Sequence, residues 1–157
     1  MSVVIRTPRT SRLSKLIDSA GGASVGVALA RARRNLARLE PRSLEVVKGH
    51  VAELLALAPP AGSDDVFPKM EAAYRAAVGV LDAAGPFERG DLCAAAASLC
   101  DLIDAAGQDG FDWRIVQVHA RAIELMLTLP AGAADQRKRV LEGLADVRAR
   151  KLPPQAT

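Results

Sequence analysis

His50 and His119 are the two histidines in a chain of 157 residues. A helix-borne imidazole can accept a phosphoryl group from one aspartate and pass it to another. The site then needs an exposed ring, a nearby Lys or Arg to meet the phosphoryl charge, and small neighbours that let a partner approach. His50 is the better placed. At about 100° per residue it falls some ~80° from the centre of its helix's apolar face, at the boundary. Lys48 and Gly49 precede it. Phosphotransfer families instead place Lys-Gly three and four residues after the histidine. Here Val51, Ala52, Glu53 and Leu54 follow, and Glu53 repels a phosphate. His119 is the second candidate. Ile115 lies four before it, and Ala122 and Ile123 three and four after, so the apolar arc brackets it. That setting favours a core histidine bonded to a carbonyl or carboxylate.

Other chemistry finds less support. There is no His-x-x-x-His pair, no Cys-x-x-Cys, no phosphate-binding Gly-rich loop and no nucleophile elbow. Zinc, di-iron, nucleotide and serine-hydrolase sites therefore lack their signatures, and no metal or cofactor is expected. Asp101, Asp104, Asp109 and Asp112 cluster around one loop, without the spacing or terminal Glu of a calcium loop. They read as solvated helix ends or as a weak cation or partner site. Trp113, in the first turn of a helix, either packs over the loop or contacts a partner, where Trp is enriched. Cys93 and Cys100 stand seven apart, about 10 Å along a helix axis and too far for a disulfide with each other.

Charge is segregated. Residues 1–42 hold nine Lys/Arg and two Asp/Glu, residues 43–135 six and fourteen, and residues 136–157 six and two. Basic ends around an acidic middle can fold back on it, stay solvated, or meet an acidic partner. Arg31, Arg34 and Arg38 fall mostly on the face of their helix away from its apolar residues and are the partner-binding candidates, with Trp113. Nucleic acid is a weak alternative, because no aromatics interleave the basic residues and no recognition helix is apparent.

The elements that must position these residues are helical. Alanine is the commonest residue, at 30 of 157, and no long period-two alternation occurs. A short helix is expected over Ser11–Asp18, and Ser24 should cap the next one. Val25, Leu29, Ala32, Leu36 and Leu39 share a face that resumes, nearly in phase, at Leu44, Val47, Val51 and Leu54. Pro41 interrupts, so a long arm kinked there is expected over 24–58. Pro59-Pro60-Ala61-Gly62 breaks the chain. Further helices are expected from Ser63 or Asp64 to about 84, over 88–106, from an Asp112 cap to Leu129, and over 134–150. The fold class is thus all-α: an antiparallel bundle of five or six helices. A basic segment (1–23) precedes the bundle domain (24–151), and a loose tail (152–157) follows.

Hydrophobic residues make up 50% of the chain and aromatics 3%. At this length about 70% of the unfolded surface is buried without metal or disulfide staples. No apolar run reaches the roughly 18 residues of a membrane span, and no secretory h-region follows the basic N-terminus, so a cytoplasmic protein with no membrane partner is expected.

Three stretches resemble the CheE family of alphaproteobacterial chemotaxis proteins. They are Arg12-Leu-Ser-Lys-Leu-Ile17 with Gly21-Gly-Ala-Ser-Val25 running into Ala28–Ala32 and Asn35-Leu36; Ser98-Leu-Cys-Asp-Leu-Ile-Asp104; and Phe111-Asp-Trp-Arg-Ile-Val-Gln-Val-His119 with Ala122 and Leu125. The resemblance spans about 1–145. It implies a place in chemotaxis or two-component signalling and carries over no catalytic residue. Together with the charge segregation it gives the expected function: a non-catalytic adaptor that binds a response-regulator receiver domain or a kinase. Histidine phosphotransfer is the enzymatic alternative. A homodimer through the apolar face of the first arm is a further expectation.

Overall fold

The computed structural model describes residues 24–106, 111–130 and 132–152. Five α-helices make up almost all of them: α1 (Val25–Ala56), α2 (Ser63–Ala84), α3 (Gly90–Asp104), α4 (Arg114–Thr128) and α5 (Ala134–Lys151). A single 3-10 turn, Gly85–Phe87, joins α2 to the α3 approach. The described chain is an all-α helical bundle. The expected helix over Ser11–Asp18 lies outside the described residues.

Ser24 caps α1 as its sequence position predicts, its Oγ accepting from the Val27 N–H at 3.4 Å. The long arm expected over 24–58 is present as one helix, α1, which runs through Pro41. Proline has no N–H, so the Ala37 carbonyl one turn earlier loses its helical partner. The chain divides into two compact units at that turn, Met1–Ala37 and Arg38–Thr157. In the first unit every described residue is exposed. The bundle core belongs to the second unit, which begins at Arg38.

Helix α2 starts one residue off its expected cap. Gly62 holds the N-cap position in extended backbone, while Ser63 Oγ donates to Asp64 Oδ1 at 3.2 Å. The capping duty falls to Asp65, whose Oδ2 accepts from the Ala61 N–H at 3.1 Å and pairs with Lys69 at 2.9 Å. Asp112 does act at the start of α4, where its Oδ1 accepts from the Arg114 N–H at 3.2 Å. Helix α5 ends at Lys151, and residues 153–157 of the expected tail lie outside the described residues. The Leu152 N–H donates to the Arg148 carbonyl at 2.8 Å, and its side chain packs on the core.

Helix α3 is the axis of the core. Its buried residues serve two apolar clusters. Leu99, Leu102 and Ile103 join Leu54, Trp113 and Val116 in one. Leu92, Ala95 and Ala96 join Val47, Val51, Val80, Ile123 and Met126 in the other. Small side chains at Ala95, Ala96, Ala73, Ala76 and Ala77 allow short interhelical distances. Among the described residues no helix is long and apolar enough to cross a membrane.

Candidate functional site

The Phe111–His119 stretch does its work inside the fold. Trp113 is only 7% exposed. Its ring meets Phe111 edge-on at 6.0 Å, and its Nε1–H donates to the Leu57 carbonyl at 3.3 Å. Gln117, one turn on, points its Nε2 at the carbonyls of Leu54 (3.4 Å) and Leu57 (3.3 Å). These two side chains satisfy carbonyls that the end of α1 leaves without helical partners. Of the two roles open to Trp113 on sequence grounds, packing is the one realised; a ring this buried offers a partner no contact surface.

Asp112 completes the joint. Its carboxylate accepts from Arg114 Nε at 2.9 Å and from Lys151 Nζ at 3.1 Å. Those bonds, Arg114 first, hold its pKa well below the usual carboxylate range. Asp101 meets Arg148 at 2.8 Å. Asp101 and Asp112 of the expected carboxylate cluster are thereby drawn into ion pairs with α5; Asp104 forms none with a described residue, and Asp109 lies outside the described residues. No group of His, Cys, Asp and Glu with metal-ligating geometry occurs among the described residues.

His119 is fully buried. Its Nδ1–H donates to the Ile115 carbonyl at 2.9 Å, and its Nε2 accepts from Ser98 Oγ at 3.2 Å. Both nitrogens are satisfied in one neutral tautomer. Burial pushes its pKa down, against the smaller opposing pull of the Ile115 bond. A docked donor cannot reach this ring.

His50 is held differently. Its side chain is 29% exposed, and Nδ1 lies 3.0 Å from Glu53 Oε2. Its far edge rests on α2 at Gly79, where a Cβ would stand 2.6 Å from Cδ2 and 2.7 Å from Cε1. Nε2 is the ring atom nearest that position. One nitrogen faces the Glu53 carboxylate, which repels a phosphoryl group, and the other lies toward Gly79. Lys48 is engaged with Glu45 at 2.7 Å. Gly79 is a residue that the sequence reading missed. Its signal was available: a glycine inside a helix costs about 1 kcal/mol against alanine and often marks a close approach.

The structure does not bring the two histidines together. Arg31 and Arg34 lie in the first unit and Arg38 at the start of the second, and all three are exposed. The apolar side chains of this stretch, Leu29 and Leu36 among them, are exposed as well, so exposure here is not confined to the arginines. None of them forms an ion pair with a described residue, whereas α5 places Arg137, Arg148 and Lys151 against Asp91, Asp101 and Asp112. Both cysteines are free, and burial pushes the Cys100 thiol up to about 11, which leaves it a poor nucleophile.

No protein-family model matches the chain, and no match was found among curated proteins or solved structures.

Proposed function

We propose that this chain is a helical adaptor that recognises an acidic protein surface through Arg31, Arg34 and Arg38. The observation that carries this reading is the solvent-facing row of arginines on α1, which finds no carboxylate among the described residues. Guanidinium groups three and four residues apart on a helix present a forked donor surface suited to carboxylates. Desolvation of such a row is repaid only by a partner that supplies the acids. On the CheE resemblance, the partner class is a receiver domain, whose phosphoacceptor pocket is acidic, or a kinase of chemotaxis signalling.

The engagement of both imidazoles supports adaptor over phosphotransfer. His119 has no open nitrogen, and His50 has one against Glu53 and one against Gly79. The direct test is binding to a purified chemotaxis receiver domain. Replacing Arg31, Arg34 and Arg38 with Glu should abolish binding, and the wild-type affinity should fall steeply with salt. Equal affinity of wild type and the triple variant would refute the reading.

A further inference from the structure

We propose that the groove between α2 and the end of α3 is a binding site for an organic cation of the quaternary ammonium class. The groove has a volume of about 360 Å³ and is apolar over most of its wall, within the range of small-molecule sites. Phe67, Met70 and Tyr74 line one side, one and two turns apart on α2, and Ile103 lines the other. Phe67 and Tyr74 are two of only five aromatic residues in the chain. Phe67 is 63% exposed, so a large apolar ring stands in water at the mouth.

Two carboxylates, Glu71 and Asp104, also line this groove. Glu71 has only a loose exposed contact with Arg75 at 3.6 Å. Asp104 forms no ion pair with a described residue, unlike its neighbour Asp101, which Arg148 occupies. The negative potential reaches the groove wall: Asp104, ahead of the other contributions, raises the pKa of the Tyr74 phenol.

Aromatic faces and a thioether beside two carboxylates, one of them without an ion pair among the described residues, select a cation. The apolar lining selects among cations. A bare ammonium is strongly hydrated and must recover its hydrogen bonds, and a guanidinium needs a planar fork of acceptors. A quaternary ammonium donates no hydrogen bond, and its methyl groups suit an apolar wall. Cation–π attraction and the two carboxylates supply the charge preference.

The test uses the full chain labelled with 13C at methionine methyls and 15N at amides. It is titrated with tetramethylammonium and with choline at constant ionic strength. The neutral carbon isostere of choline, 3,3-dimethylbutan-1-ol, is the control. Saturable shifts centred on Met70 and Tyr74 are expected for both cations. The alcohol should bind about tenfold more weakly, and Asp104→Asn should weaken the cations about threefold while leaving the alcohol unchanged. Phe67→Ala should weaken all three; both substituted side chains are exposed, and Asp104→Asn decides alone if the other variant misfolds. Equal binding of alcohol and cation, no effect of Asp104→Asn, or no saturable shift would each overturn the assignment.

Discussion

Helix α5 and the first half of α1 are both rich in arginine, but they dispose of their charge in different ways. In α5, Arg137, Leu144, Arg148 and Lys151 recur at spacings that share one helix face. That face meets the acidic middle of the chain, with Asp91, Asp101 and Asp112 at 3.0, 2.8 and 3.1 Å. In α1, Arg31, Arg34 and Arg38 are exposed and pair with no carboxylate among the described residues. Basic charge on a helix becomes internal structure when it shares a face with the apolar stripe. It stays on the surface where the helix buries no apolar face, as over residues 24–37. Net charge alone does not separate these cases; burial of the helix's apolar face does.

Arg137 is the strongest case of internal use and gives the largest expected effect. It and Asp91 are only 12% and 18% exposed. Its Nε–H is not directed at the nearby carboxylate, so that contact is an ion pair rather than a hydrogen bond. Its Nη2 donates to the carbonyls of Met126 (3.2 Å) and Leu129 (2.6 Å), closing the end of α4. Arg137→Ala strands a carboxylate and two carbonyls and should cost about 3 kcal/mol in urea unfolding. Arg137→Ala with Asp91→Ala should recover part of that loss, because no charge is then left uncompensated. A cost under about 0.5 kcal/mol for the single variant would break the contrast with α1.

Proton linkage sharpens it next. Burial lowers the pKa of His119 below its unfolded value of about 6.5. The unfolded chain then binds a proton that the folded chain refuses. Stability is complete above that pH and falls as pH drops below it, with a slope of up to about 1.4 kcal/mol per pH unit from this group. His119→Gln should flatten the slope between pH 6.5 and 5. The described part of the first unit, residues 24–37, has arginine as its only titratable side chain, so its charge stays constant over that range.

Smaller effects follow at the exposed ion pairs. Arg148 and Asp101 are about half exposed. Arg148→Ala should cost only about 0.5 kcal/mol, as should Lys151→Ala. Smallest is the stability change on replacing Arg31, Arg34 and Arg38 together with Ala: within about 0.5 kcal/mol, since these side chains make no described contact. Thermal or urea unfolding of the three variants orders them directly.

Much of this architecture was legible in the sequence. Apolar periodicity located the five described helices, and Ser24 and Asp112 announced two of their starts. The apolar rhythm that stays nearly in phase across Pro41 correctly implied one long arm, since a helix packed along its C-terminal half tolerates one missing hydrogen bond. The bracketing of His119 by Ile115 and Ile123 correctly implied a core histidine. Its Ser98 partner lies on another helix, 21 residues away, so no local pattern reveals the pair. The same holds for Trp113 and Gln117, whose acceptors stand about sixty residues earlier at the end of α1. Local rules give the helix a residue belongs to; long-range partners decide whether its polar atoms are free for chemistry.

The central claim is that the α1 arginines, and not those of α5, recognise an acidic partner. The most direct measurement is the affinity for a chemotaxis receiver domain of three proteins over a range of salt: wild type, Arg31→Glu/Arg34→Glu/Arg38→Glu, and a control reversing the exposed α5 residues Arg139 and Arg150. Loss of binding in the α1 variant, with the control near wild type and both as stable as wild type, is the predicted result. Undiminished binding by the α1 variant, or equal loss in the control, would contradict it.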